Sequence, residues 1–277
     1  MKNTRKLLLV ALAAMLSLNV NGQKLVILHT NDSHSQIEPI RTGSNEGRGG
    51  VDRRLQYIDS VRAVYGKNKV LLLDAGDYNQ GSPYYVLGKG DIELALMNEL
   101  GYEAAAIRNH EFDSGQEVLA RHLKDAKFTS LCCNYDFSET PLKDLIKPYT
   151  IIRKNGLKIG IVGATSYLES NVLFDNMKNM KRLDTVVEVN RWARYLKRDK
   201  HCDLVIFLSH LGYSGGSYDV PSDHIMAAES VDIDVIVGGH SHTFIEKPAT
   251  VQNKLGKDVI IVQAGCKGVE VGMLKVF

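Results

Sequence analysis

No internal repeat, low-complexity tract or Pro/Ser-rich linker interrupts the 277 residues of the chain. Repeat arrays and linker-joined modules are therefore excluded, and one domain is expected, since single cores grow to roughly 250 residues. Cysteines are few: Cys132, Cys133, Cys202 and Cys266, none in a CxxC pair, which excludes zinc knuckles and dithiol redox sites. Adjacent Cys132 and Cys133 are not expected to bridge each other. A bridge from either to another cysteine is open in an oxidising compartment, but buried thiols on core strands are the expectation. The GxxxxGK[ST] lysine loop is also missing, so "GDYNQGS" is a weak phosphate cradle.

An apolar run long enough to span a membrane is absent from the amino terminus, where Leu7 to Leu16 falls short of the ~20 residues required. Lys2, Arg5 and Lys6 precede that run and small polar residues follow it up to Gln23, the layout of a secretory signal peptide. Residues 1–22 are thus expected to be cleaved, leaving 23–277 as an exported chain, periplasmic or extracellular, without a membrane span. No cysteine stands after the run for lipid attachment. Removing 1–22 takes three of the 34 basic residues and no acidic ones, leaving 31 basic against 32 acidic. With no excess of either sign, neither a nucleic-acid duplex nor an anionic membrane is indicated as a partner.

What is present alternates. Apolar runs at 24–29, 69–74, 102–107, 128–133, 157–164, 203–209, 233–237, 258–263 and 269–276 read as strands. Segments 50–65, 91–100, 115–126, 184–200 and 222–229 carry apolar residues at helical spacing. This predicts an α/β fold with a mostly parallel or mixed sheet covered by helices.

Five apolar runs end in metal-ligating or acid–base side chains: "LVILHTNDSH", "LLLDAGD", "AAAIRNHEFD", "VIFLSH" and "VIVGGHSH". Loops beyond the carboxyl ends of strands form the ligand crevice of open α/β sheets. One such residue is usually a cap or turn residue, but five loops together point to one site. Asp32 and His34 can reach one metal from a bent loop, and Asp77 can bridge two cations. Asn109 offers a carbonyl oxygen, and His210, His240 and His242 offer imidazole nitrogens. This mixed set suits divalent Zn, Mn or Fe rather than Ca or Mg. Two such ions would polarise a phosphoryl group and activate water. His110 and Asp113, three apart, can form an imidazole oriented by a carboxylate. Glu111 is read as structural, and His29, His122, His201 and His224 as solvated or satisfied histidines.

The ordered set "NDSH", "GDYNQGS", "NHEFD", "LSHLG" and "GGHSHT" resembles the N-terminal metallophosphatase domain of the 5'-nucleotidase and 2',3'-cyclic phosphodiesterase family, within the calcineurin-like metallophosphoesterases. The resemblance covers essentially residues 24–277. It implies a four-layer α/β/β/α sandwich of two mixed β-sheets flanked by helices, with two divalent transition metal ions as cofactors. Asp32, His34, Asp77 and His242 would hold the first metal. Asp77, Asn109, His210 and His240 would hold the second. His110, oriented by Asp113, would assist catalysis, and Asn109 would be a substrate contact. The implied activity is an exported phosphoesterase acting on nucleotides or related phosphate esters.

Two features depart from the family. Arg108 stands where the family has glycine before the Asn-His pair. An outward-pointing side chain on a long stem is expected; the alternatives are a charge opposing metal binding and a fork meeting an anionic substrate. The family's C-terminal nucleotide-binding domain is also absent from the sequence, so a separately encoded domain is a candidate partner, and an apolar docking patch is expected near the carboxyl edge. The alternative functions are a catalytically weakened or silent metal- and phosphate-binding subunit, a cyclic phosphodiesterase and a thiosulfohydrolase.

Overall fold

A computed structural model describes residues 24–277; the expected signal peptide, residues 1–22, lies outside the described residues. The first sheet contains β1 (Leu25–Thr30), β2 (Val70–Asp74), β3 (Ala104–Ala106), β4 (Thr129–Leu131), β6 (Ile146–Lys147) and β14 (Gly272–Val276), in the order β14-β1-β2-β3-β4-β6. The second contains β7 (Tyr149–Lys154), β8 (Leu157–Thr165), β10 (Leu204–His210), β11 (Val235–Val237), β12 (Ala249–Gln252) and β13 (Asp258–Val262), in the order β12-β13-β11-β10-β8-β7. The short strands β5 (Tyr135–Asp136) and β9 (Lys181–Arg182) pair separately. Each large sheet has a parallel centre: the second ends in antiparallel strands on both sides, β12 against β13 and β7 against β8, whereas the first has β14 antiparallel to β1 at one edge and β6 parallel to β4 at the other. Both sheets are mixed, as expected.

Alternation along the strands makes the layers. On β1, Leu25 and Ile27 pack with Ile161, Ile206, Leu208 and Val235 of the second sheet. The intervening Val26 and Leu28 point the other way, against Ile58, Val61, Leu94 and Met97 of α1 (Val51–Tyr65) and α3 (Asp91–Leu100). On the second sheet Val162, Phe207 and Ile236 face outward onto Val186, Val189, Ala193 and Met226, carried by α5 (Thr185–Arg194) and α6 (Asp223–Glu229). Between α3 and α5 in sequence, α4 (Gln116–Asp125) covers a satellite core with Phe112 and Leu119. Helices thus cover both outer faces, giving the four-layer sandwich.

Local chemistry sets the element ends. Asp184 caps α5 by accepting from the Val187 N–H, and the helix then loosens into a π turn at Tyr195–Asp199, so the expected helix 184–200 is two segments. Strands β7 and β12 were not expected. The hairpin of β7 and β8 turns at Asn155 and Gly156, both at positive φ, the Asn-Gly pairing that two-residue hairpins favour. The six-residue helix α2 (Pro83–Gly88) carries Ser82 at its N-cap and Pro at N1, a short start signal without enough length for periodicity.

The sheets approach closely at Gly163. A Cβ there would stand 2.6 Å from Leu131 Cβ and 2.8 Å from its carbonyl oxygen, and the Cys133 N–H donates to Gly163 O at 2.8 Å. Gly163→Ala is therefore expected to lower unfolding free energy by about 2 kcal/mol through overpacking, measured by urea denaturation. His29 is buried in β1 with Nδ1 unbonded, not solvated or satisfied. Burial lowers its pKa to about 4. The unfolded chain takes up this proton below about 6.5, whereas the native chain refuses it until about 4. The stability difference between the protein and His29→Gln should consequently shift by about 3 kcal/mol against the histidine as pH falls from 7 to 4. Parallel pH profiles of the two proteins would disprove it.

Candidate metal centre

The parallel strands β1, β2, β3, β10 and β11 all deliver their carboxyl ends to one edge of the sandwich. Adjacent loops are bound by their backbones: Asp32 N–H donates to Gly76 O at 2.8 Å and His34 N–H to Asp77 O at 2.9 Å. Asn31 locks this bend, giving its amide to Asp32 Oδ2 and Gly265 O, both at 2.6 Å, and accepting from Ala264 N–H.

Three donor triplets follow: Asp32, His34 and His242; His34, Asp77 and His110; Asp77, His210 and His240. Within each, the ligand atoms lie within 4.8 Å of one another. The triplets share His34 and Asp77, so they form one connected cluster. His242 Nε2 stands 3.3 Å from Asp32 Oδ1 and 3.0 Å from His34 Nε2. His210 Nδ1 is 3.0 Å from Ala75 O, which fixes the ring with Nε2 2.7 Å from Asp77 Oδ2. His240 N–H donates to Asp32 Oδ2 at 2.9 Å. Six of the seven ligand candidates lie on these loops, with Asn109 at the start of the 3₁₀ turn Asn109–Phe112, and His210 ends β10.

The donors fit divalent transition cations. Asn109 Oδ1 is buried without a partner, an acceptor that a cation would satisfy. Nitrogen faces nitrogen at His34 and His242, a contact that needs a proton or a cation between the rings. Asp32, His34, Asp77, His240 and His242 all hold positive φ, each at a cost of about 1 kcal/mol or more. Five strained residues in one cluster mark a site whose geometry is imposed. Burial and the carboxylates set the charges: burial lowers His240 to about 4, and the Asp32 hydrogen bond raises His242 to about 10. For Asp77, burial alone would raise the pKa, but His210 outweighs it and holds the carboxyl below its ordinary value.

His110 Nδ1 lies 2.8 Å from Asp113 Oδ2, with its ring centroid 5.4 Å from that of His34. Burial pulls the imidazole pKa down, yet Asp113 and Asp77 outweigh it and the net shift is upward. Glu111 is structural: its carboxylate accepts the Tyr78 and Asn79 N–H groups at 3.2 and 3.3 Å, holding the Asp77 loop in its turn. Burial raises its pKa well above the ordinary value.

Arg108 does not point outward. Its backbone is extended, φ −136 and ψ 178, so no positive-φ strain arises from replacing glycine. The side chain is completely buried and passes over Gly76, where a Cβ would collide with its stem. The guanidinium donates to Ala164 O and, at 3.4 Å, to Leu208 O, joining β3 of one sheet to the ends of β8 and β10 of the other. It has no exposed surface to offer a substrate. Burial lowers its pKa to about 10, opposed by Asp77 and Glu111, so it stays charged at neutral pH.

Asp223 was not singled out in the sequence. It is fully buried, accepts from Ser209 Oγ and leaves Oδ2 without a partner; burial raises its pKa to about 7. It lies beyond the "LSH" run in a stretch with no local signal. Cys132, Cys133 and Cys202 are buried and free, and Cys266 is free beside the site. Exposed apolar residues flank this edge: Val86 and Leu87 on α2, and Leu173 and Phe174 just before Asn176, which donates to Asp113 O at 3.2 Å.

These features define the class, an α/β/β/α sandwich gathering transition-metal donors at one edge. Within it, the chain belongs to the calcineurin-like phosphoesterase family, whose model matches residues 25–244. It is similar to the 5'-nucleotidase of Homo sapiens, 34% identical over 293 residues covering 97% of this chain and 49% of that protein. Protein 5NUC of Lutzomyia longipalpis is 31% identical over 296 residues, covering 97% and 50%. Among solved structures, the 5'-nucleotidase precursor from Thermus thermophilus matches with a TM-score of 0.82 and 37% identity, covering 91% of this chain and 51% of that one. The NAD nucleotidase of Haemophilus influenzae gives 0.76 and 29%, covering 91% and 46%. The chain spans about half the length of the curated relatives it matches.

Arg108→Ala should remove both the inter-sheet hydrogen bonds and the buried positive charge. In chelator the variant is expected to lose about 3 kcal/mol or more of stability, read by urea denaturation; an unchanged midpoint would contradict this account.

Proposed function

We propose that the protein is an exported, dinuclear-metal-dependent phosphoesterase that hydrolyses nucleotides or related phosphate esters. The carrying observation is the connected donor cluster beside the His110–Asp113 pair. In this reading Asp32, His34, Asp77 and His242 hold one cation, and Asp77, Asn109, His210 and His240 hold the other, with Zn, Mn or Fe suited to the donors. When bound, the two cations supply Lewis acidity to a phosphoryl oxygen and to water. Asp113 fixes the His110 tautomer and favours the charged ring, in which Nε2 can donate to the oxygen on which charge develops. Asn109 adds a neutral amide beside the same group.

Nucleotide chemistry comes to this chain from its relatives' names, and export from the signal-like amino terminus together with a snake venom 5'-nucleotidase of Crotalus adamanteus, 34% identical over 287 residues. Val86, Leu87, Leu173 and Phe174 supply an apolar rim suited to docking a second domain. A second reading, a silent subunit that holds metal and phosphate esters without turnover, is favoured by one observation, the Arg108 charge close to Asp77 and Asp32.

Phosphate release from 5'-AMP and a model diester by the mature chain with Mn, Zn or Co, beside Arg108→Gly, separates the two. Turnover by the protein itself supports the phosphoesterase; turnover by Arg108→Gly alone supports the silent subunit. Lack of any bound transition metal would sink both. His110→Ala should lower kcat by about 10²–10⁴-fold with metal content unchanged. A parallel loss of metal would reassign His110 as a ligand.

A further inference from the structure

A cavity of about 510 Å³ opens between the start of α1 and the stretch Gly268–Val271. Arg48, Arg53, Arg54 and Tyr57 line it, with Glu270 as the acidic residue of its wall. Arg48 lies 3.6 Å from Glu270, and Arg53 donates to Gly47 O. Two further positive charges therefore face the space without a carboxylate of their own.

Arg54 is the unusual member. It is only 6% exposed, and its Nε and Nη2 have no acceptor. A Cβ on Gly268 would collide with its guanidinium, so the cavity wall is shaped around it. On its inner side stand Tyr102 and Asp74, but Asp74 spends its oxygens on Thr30, at 2.5 Å, and on Gly76 N–H, at 2.7 Å. A buried guanidinium with unused donors is costly unless an anion meets it. Tyr57, half-exposed, and Val271 give the remaining wall an apolar character.

We propose that this cavity is a second ligand site, binding a phosphorylated small molecule with its phosphoryl group among Arg48, Arg53 and Arg54 and its organic body against Tyr57. The volume falls in the ~300–1,000 Å³ range of small-molecule pockets. The cavity wall touches the metal loops through one backbone bond, Lys267 N–H to Asp32 O at 2.7 Å, yet none of its lining residues is a ligand candidate.

The test is equilibrium dialysis of inorganic phosphate and 5'-AMP against the full chain in chelator, which keeps it independent of turnover. Saturable binding is expected, weakened about tenfold in Arg48→Ala/Arg53→Ala and in Arg54→Met and retained in His242→Ala. Because Arg54→Met removes an unpaired charge, it should unfold no earlier than the protein without phosphate and lose the phosphate-induced rise in Tm. No saturable binding, binding indifferent to the arginines, or binding lost with His242 would each overturn the proposal. Early unfolding of Arg54→Met with binding intact would do the same, making Arg54 a countercharge for Asp74. If that variant does not fold, the double variant at the exposed arginines decides.

Discussion

Asp32, Asp74, Asp77, Glu111 and Asp223 are all buried near the edge where the two sheets meet, and their mutual repulsion governs how that edge is built. Those faced by imidazoles are held below their ordinary pKa, as Asp32 and Asp77 are by His210. Those without a strong positive neighbour are pushed up by burial, Asp74 to about 6 and Asp223 to about 7. Glu111 is pushed up as well, burial and Asp77 outweighing the backbone N–H groups it collects. Arg108 is the basic side chain fully buried in their midst. Each group's pKa thus follows from burial set against its nearest positive partner, and bound cations would add to that balance.

This constraint explains why Arg108 turns inward. A long stem ordinarily carries its charge to water, but five carboxyl groups and the free carbonyls at the ends of β8 and β10 offer a better environment than the surface. Position 108 could not reveal this, because four of those carboxyl groups and both carbonyls belong to other elements. Its extended backbone, unlike the left-handed ligands around it, puts no conformational demand on the residue.

The sandwich was legible where periodicity is long and unbroken: β1, β2, β8, β10 and helices α1, α3, α4 and α6 lie close to their expected spans. It was less legible where an element is short or its signal lies in a turn, as with α2 behind Ser82-Pro83 and β7 ahead of Asn155-Gly156. The ligand candidates could be named because each follows an apolar run directly. Asn31, Asp223 and the buried Arg54 act through contacts with distant segments, and nothing beside them in the sequence distinguishes them from ordinary polar residues.

His34 and His242 meet at 3.0 Å across 208 positions of chain, and that separation has a kinetic meaning. The cluster draws on both sheets, so no early local piece of the fold can assemble it. Parallel pairing between remote strands is slow to form, and the five strained ligand conformations have no support until docking is complete. Cations would then act on the finished sandwich, stabilising it by mass action and slowing its opening.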